Sequence, residues 1–235
     1  MNSPWKTEVL AILRKEALTE FRTKSGLATG ALFGFATVIT VSFSLFGINP
    51  NRVDAEFHDT PLKAVCASLI WTIVLFSALL SLPRAFLGEE ENGTGDLLRL
   101  MARPHAVFWG KMTFNILQTW ALSFSLGLLF LAFTGLKVAL PLVFGLCLLG
   151  GGASVAGAVT LCGALAAQAA NRAALAGAIA VPLLLPLLQW GVTGMKASFG
   201  AGFPGSGTSA AVGMVCYAVL VVVVGPWIYA AVWKS

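Results

Sequence analysis

Val138 to Asn171 reads VALPLVFGLCLLGGGASVAGAVTLCGALAAQAAN, 34 consecutive residues without an aspartate, glutamate, lysine or arginine. A bilayer's hydrocarbon core is about 30 Å thick and a helix rises about 1.5 Å per residue, so one crossing takes roughly 20 residues. The stretch is long enough for one span and too short for two with a turn between them. Working outward, five more uncharged stretches appear at 25–51, 64–83, 112–136, 173–195 and 197–233, with 27, 20, 25, 23 and 37 residues. Leucine, alanine and phenylalanine fill them without strict alternation, which argues against a barrel. The fold class expected is therefore an all-α membrane protein with six transmembrane helices, in a single transmembrane domain over 1–235. The spans are placed near 27–47, 63–83, 109–134, 139–167, 173–195 and 209–232.

Composition agrees with that class. Of 235 residues, 57% are hydrophobic and 11% charged, where a soluble domain runs near half apolar and a quarter charged. One water-soluble core of this size could not hide so much apolar side chain. A soluble enzyme, a disordered tail and a fibrous chain are excluded. The first apolar run begins only after 24 residues; it is too long for a signal-peptide core and lacks an A-x-A exit, so no cleaved leader is expected.

Lysine and arginine placement orients the spans. With six crossings both ends face one side, and Lys6, Arg14, Lys15, Arg22, Lys24, Arg84, Arg99, Arg103, Lys111, Arg172 and Lys234 fall there, against Arg52, Lys63, Lys137 and Lys196 opposite. The richer side is read as cytoplasmic. Basic loops beside anionic lipid account for the net charge of +5. No basic stripe is interleaved with stacking aromatics, so nucleic acid is not an expected partner. The cysteines Cys66, Cys147, Cys162 and Cys216 all lie inside expected spans and form no C-x-x-C, which makes a disulfide framework unexpected.

Residues 4–24 are expected to form an N-terminal interfacial helix, with Pro4 in its first turn. Trp5, Val9, Leu13, Ala17 and Phe21 recur every four residues, so the apolar line drifts around the helix, and Glu16 and Glu20 interrupt it. Such a segment suits the membrane surface and a cytoplasmic partner, or serves as a basic anchor for the first span. Between 150 and 180, Gly, Ala and Ser fill 20 of 31 positions. Gly150, Gly151, Gly152 and Gly157, with the G-x-x-x-G pair Gly30 and Gly34 in the first span, are the expected helix-packing positions, because small side chains let spans approach closely. Pro182 and Pro186 are expected to kink the fifth span.

Sites for chemistry are scarce. No charge is expected deep in a span, which argues against a proton-coupled carrier. H-E-x-x-H, G-x-S-x-G and paired intramembrane aspartates are missing, so the chain is not expected to be an enzyme and no metal or catalytic residue is assigned. His58 and His105 fall on opposite faces. Without a G-x-x-x-x-G-K-[ST] the chain has no P-loop, and any ATP must be bound by another subunit.

The informative connection lies between the second and third spans, 84–104. Three glutamates, Glu89, Glu90 and Glu91, precede a glycine break at Gly93. Thr94 is placed to cap a short helix starting near Gly95, with Asp96 in its first turn. Leu97, Leu98, Leu100 and Met101 give that helix apolar knobs, and Pro104 stops it. A short apolar and acidic helix in a cytoplasmic loop suits insertion into a cleft on another protein.

This pattern resembles an ABC-2-like exporter permease. Arg84-x-Phe86, the acidic cluster, Gly93-Thr94, Asp96, the leucines Leu97 and Leu98, Pro104 and then Lys111 carry the likeness. More closely, the chain is similar to the haem exporter protein B (CcmB) family of cytochrome c maturation, with Phe21-Arg22 before the first span and Leu69-Ile70-Trp71 entering the second as supporting features. Gly95 departs from it, standing where the family tends to carry a bulky apolar residue. The resemblance implies a cytoplasmic coupling helix within 84–104. Arg84, Phe86, Glu89, Glu90, Glu91, Gly93, Thr94, Asp96, Leu97 and Leu98 would engage a CcmA-like ABC ATPase subunit that binds ATP. It implies a homodimer, a CcmC-like haem-handling membrane protein as partner, haem as possible cargo, and the bacterial inner membrane with both termini cytoplasmic. Two alternatives stay open: a permease exporting another amphiphile, and a non-transporting membrane scaffold.

Overall fold

In a computed structural model of the chain, residues 4–23, 25–46, 61–81, 89, 93, 95–167, 172–203 and 205–233 are described. Where charge is absent over the length of a crossing, the backbone must satisfy its own hydrogen bonds, and the chain answers with helices. In order they are α1 (Trp5–Thr23), α2 (Ser25–Ser44), α3 (Pro61–Ser81), α4 (Gly95–Met101), α5 (Pro104–Thr134), α6 (Pro141–Ala166), α7 (Arg172–Ser198) and α8 (Ser206–Trp233). Six of them, α2, α3 and α5 to α8, are long and apolar enough to cross a membrane, and no strand occurs among the described residues.

The third spanning helix starts earlier than its charge pattern implies. Pro104 takes the first turn of α5, where its missing N–H costs nothing, and Arg103 before it is extended. The helix then runs without a break to Gly135, whose φ of +64° closes it, the Gly135 N–H bonding to the Leu131 carbonyl at 2.9 Å. Lys111 is thereby drawn inside α5 rather than standing at its mouth.

α6 is the hub. It packs against α5, α7 and α8, and its small residues make that possible. A Cβ at Gly150 would stand 2.9 Å from Val215 Cγ2, one at Gly152 would stand 3.1 Å from Trp120 Cδ1, and one at Gly157 would stand 3.0 Å from Met112 Cε. Ser154 Oγ lies 2.6 Å from the Met214 carbonyl of α8, and Asn115 of α5 donates to Thr160 Oγ1 at 2.8 Å. Gly30 and Gly34 do for α2 what these do for α6: added Cβ atoms would stand 2.6 Å from the Ser77 carbonyl and 2.7 Å from Ser77 Oγ of α3.

Trp71 locks this seam. Its indole is fully buried, and a Cβ on either Gly151 of α6 or Gly191 of α7 would overlap the ring. Its Nε1–H donates to the Leu187 carbonyl at 3.1 Å, so a polar N–H deep among apolar helices is satisfied. α7 continues through Pro182 and Pro186. Pro186 removes one helical N–H, and in the same turn the Leu183 carbonyl accepts a 2.9 Å bond from the Tyr217 hydroxyl of α8. Cys66, Cys147, Cys162 and Cys216 are all free thiols.

Both chain ends meet at one end of the bundle. Ile12 of α1, Phe108 and Met112 of α5, and Val221 and Tyr229 of α8 share a second apolar cluster there. At the other end, the Ala139 and Leu140 N–H groups bond to the Ser198 carbonyl at 2.8 and 3.0 Å, tying the α5–α6 connection to the end of α7.

A test follows from the Trp71 seam. Gly191→Leu has no room beside the indole, and overpacking of this kind costs on the order of 1–3 kcal/mol. Thermal unfolding in detergent should show a clear fall in Tm for that variant. Gly145→Ala, which opens into free space, should unfold like the unaltered protein.

Candidate functional site: a buried charge cluster at the base of α5

Lys111 stands seven residues into α5, about 10 Å along the helix axis, and its side chain is 0% exposed. An ammonium so placed must be paired or lose its charge. It is paired twice. Lys111 Nζ donates to Glu16 Oε1 of α1 at 2.9 Å, and Glu89 Oε2 lies at the same 2.9 Å. The second oxygen of Glu89 accepts from Lys15 Nζ, which also stands 3.5 Å from Glu16 Oε1. Among the described residues two lysines and two glutamates thus form one ion-pair cluster, and the Glu89 carboxylate bridges both ammonium groups.

Three separate pieces of chain meet in it: the N-terminal helix, the connection before α4, and the third spanning helix. α1 reaches Lys111 because one face of it docks on α5. A Cβ on Gly110 would stand 2.7 Å from Ile12 Cγ2, and Trp5 packs edge-on to Trp109 with centroids 6.3 Å apart. Ile12 and Glu16, four residues apart and so on one face, are the buried residues of α1. At the next turn Glu20 Oε1 accepts from the Leu27 N–H at 2.6 Å, a carboxylate at the positive end of α2. Arg103 Nε and Glu8 Oε1, 3.7 Å apart, form a looser pair at the start of α5.

The Lys15 ammonium is held above its ordinary pKa of 10.5. Burial opposes the charge, and the Glu89 and Glu16 carboxylates outweigh that opposition.

The residues expected to couple to a partner divide in the structure. Glu89 turns inward, its side chain 15% exposed. Leu97 points outward at 59% exposure, together with Leu100 at 86% and Met101 at 63%, whereas Leu98 is half-buried against the cluster around Ile12. Asp96 lies in the first turn of α4. Gly93 turns the chain with φ +67° and open space around it. Arg84, Phe86, Glu90, Glu91 and Thr94 lie outside the described residues. Lys111 lies within α5 rather than ahead of it, because the helix starts at Pro104 and carries the lysine seven residues in from its end. Sequence reasoning missed Lys15, Glu16 and Lys111 as members of one site, although a glutamate interrupting an apolar helix face next to a span was a usable signal. No group of three or more metal-ligating side chains occurs among the described residues.

Compared with protein-family models, residues 7–234 match the family described as CcmB protein. The chain belongs to the CcmB family. That makes it a multi-pass membrane permease of a family serving haem export in cytochrome c biogenesis, within an ABC transporter system. A search of curated proteins gave no match.

Two outcomes are expected of the cluster. Lys111→Met takes the buried ammonium away from Glu16 and Glu89, and breaking a buried pair costs about 3–5 kcal/mol; thermal unfolding should register it as a large loss of stability. As for pH, a raised folded pKa gives stability that is complete below the unfolded value and fades as pH rises through the folded one. Limited proteolysis of α1 should therefore be unchanged across neutral and mildly alkaline pH and accelerate only above about 10.5, the ordinary lysine value.

Proposed function

We propose that this CcmB-family chain is the membrane half of an ATP-driven haem export or delivery machine, coupled to a separate ATPase through α4 and the charge cluster. The observation that carries the proposal is the Glu89–Lys111 bond, because it fastens the connection preceding α4 to a spanning helix. Leu97, Leu100 and Met101 present an apolar face of the kind that inserts into a protein cleft. A CcmA-like ATPase receiving that face on the cytoplasmic side would pull on the 84–104 connection as it closes around ATP. Separating Glu89 from Lys111 would take one carboxylate from a fully buried ammonium, which costs free energy in a low-dielectric setting. The pull is therefore passed to α5 and α1 rather than absorbed by the loop.

On this proposal both termini are cytoplasmic, the membrane is a bacterial inner membrane, and the working unit holds two copies of the chain with two ATPases. A CcmC-like haem-handling protein completes it. The wider coupling set (Arg84, Phe86, Glu90, Glu91, Gly93, Thr94 and Asp96) would engage the same ATPase subunit.

Docking and transmission are separable. Leu100→Asp with Met101→Asp should release the ATPase from the purified complex. Glu89→Gln should leave the ATPase bound while lowering the c-type cytochrome content of cells. Full ATPase retention by the double aspartate variant would contradict docking through α4.

A further inference from the structure

At the chain-end face of the bundle, a cavity of about 470 Å³ opens between α1, the start of α5 and the end of α8. The volume falls within the range of small-molecule sites. Its walls are flat and aromatic: Trp5, Trp109 and Trp227, with Pro226 at the back. Two groups of a different kind share the lining, Arg103 and His105. The His105 ring meets Trp227 edge-on at 5.3 Å between centroids. Among the described residues no side chain hydrogen-bonds its imidazole. Pro226 lies within α8, so the groove is walled by helices rather than by loops.

Building on the haem reading above, we infer that this groove binds haem, with His105 as an axial ligand to the iron. Each part of the lining answers a part of that molecule. Indole faces and edges pack against a planar macrocycle. A histidine nitrogen takes one axial position on ferric iron, displacing a water, with no change of oxidation state. Arg103 offers a guanidinium fork to a propionate, and the first N–H groups of α5 add positive character beside it. Glu8 is the competing anion. Its pairing with Arg103 is long, at 3.7 Å, and the guanidinium is 55% exposed, so a propionate can share or displace it. The groove lies beside the charge cluster on the same helix, six residues ahead of Lys111. Haem seated there touches both α1 and α5, the two helices that Lys111 joins.

Hemin titrated into the full chain in lipid nanodiscs, against empty nanodiscs as baseline, tests the inference. Saturation at one hemin per chain is expected, with a histidine-ligated Soret band and quenched tryptophan fluorescence. His105→Ala should weaken binding by about tenfold or more and abolish that band. His105→Cys should bind with a displaced Soret band, a change that a merely structural role would not produce. Uptake no greater than that of empty nanodiscs, or an unaltered spectrum and affinity in His105→Ala, would overturn the site. So would a phospholipid that stays bound in the groove and resists displacement by hemin. The c-type cytochrome content of a strain lacking the chain tests the haem reading separately. Its loss alongside failed hemin binding removes the groove and leaves that reading standing.

Discussion

A fully buried ammonium needs its partners, and Lys111 has two carboxylates at 2.9 Å from two distant parts of the chain. That requirement organises one whole end of the molecule. It brings α1 against α5, turns Glu89 inward, and leaves α4 beyond it with its apolar knobs in the open. Hydrophobic contact alone would dock α1 through Ile12 and would not specify where the connection before α4 attaches. Apolar packing is non-directional, whereas the hydrogen bonds of a carboxylate to two ammonium groups have preferred distances and angles. On the proposed function, the cluster is a joint between the part that would meet the ATPase and the part that crosses the membrane.

A joint transmits only if the body behind it is stiff. In lipid, helices gain nothing from excluding water between them, so their cohesion comes from close approach and shared hydrogen bonds. The glycines of α6, the Trp71 indole threaded between Gly151 and Gly191, and the Ser154 and Asn115 contacts supply both. The α6 window is 78% buried, against 22% for α2 and 33% for α8. The bundle therefore has a packed centre and outer helices whose faces are left for lipid or for a second subunit. A displacement delivered at Lys111 enters α5, which is packed directly on that centre.

The six spans were legible because charge is a binary marker: each apolar helix is delimited by lysine, arginine, aspartate or glutamate. Small residues stand at the close approaches of α6, but Gly191, which meets Trp71, lies outside the small-residue stretch and 120 residues from that indole. The charge cluster was not legible. Glu16 and Lys111 are 95 residues apart, and nothing in a run of three glutamates says that Glu89 faces inward. Lys111 read as a boundary marker because helix starts were set by charge, whereas the backbone let Pro104 set the start of α5. His105 read as a lone boundary histidine, since only Trp109 is near it in sequence, while Trp5 and Trp227 come from helices 100 and 122 residues away.

The most direct measurement is a double-mutant cycle between Glu89→Gln and Lys111→Met, read as ATP turnover of the assembled complex stimulated by its membrane subunit. Residues in one ion-pair network couple by about 0.5–3 kcal/mol, so the double variant should be clearly less impaired than the sum of the singles. Strict additivity of the two changes, with the ATPase still bound, would mean that the pair carries no signal, and Lys111 would then be a structural ion pair only.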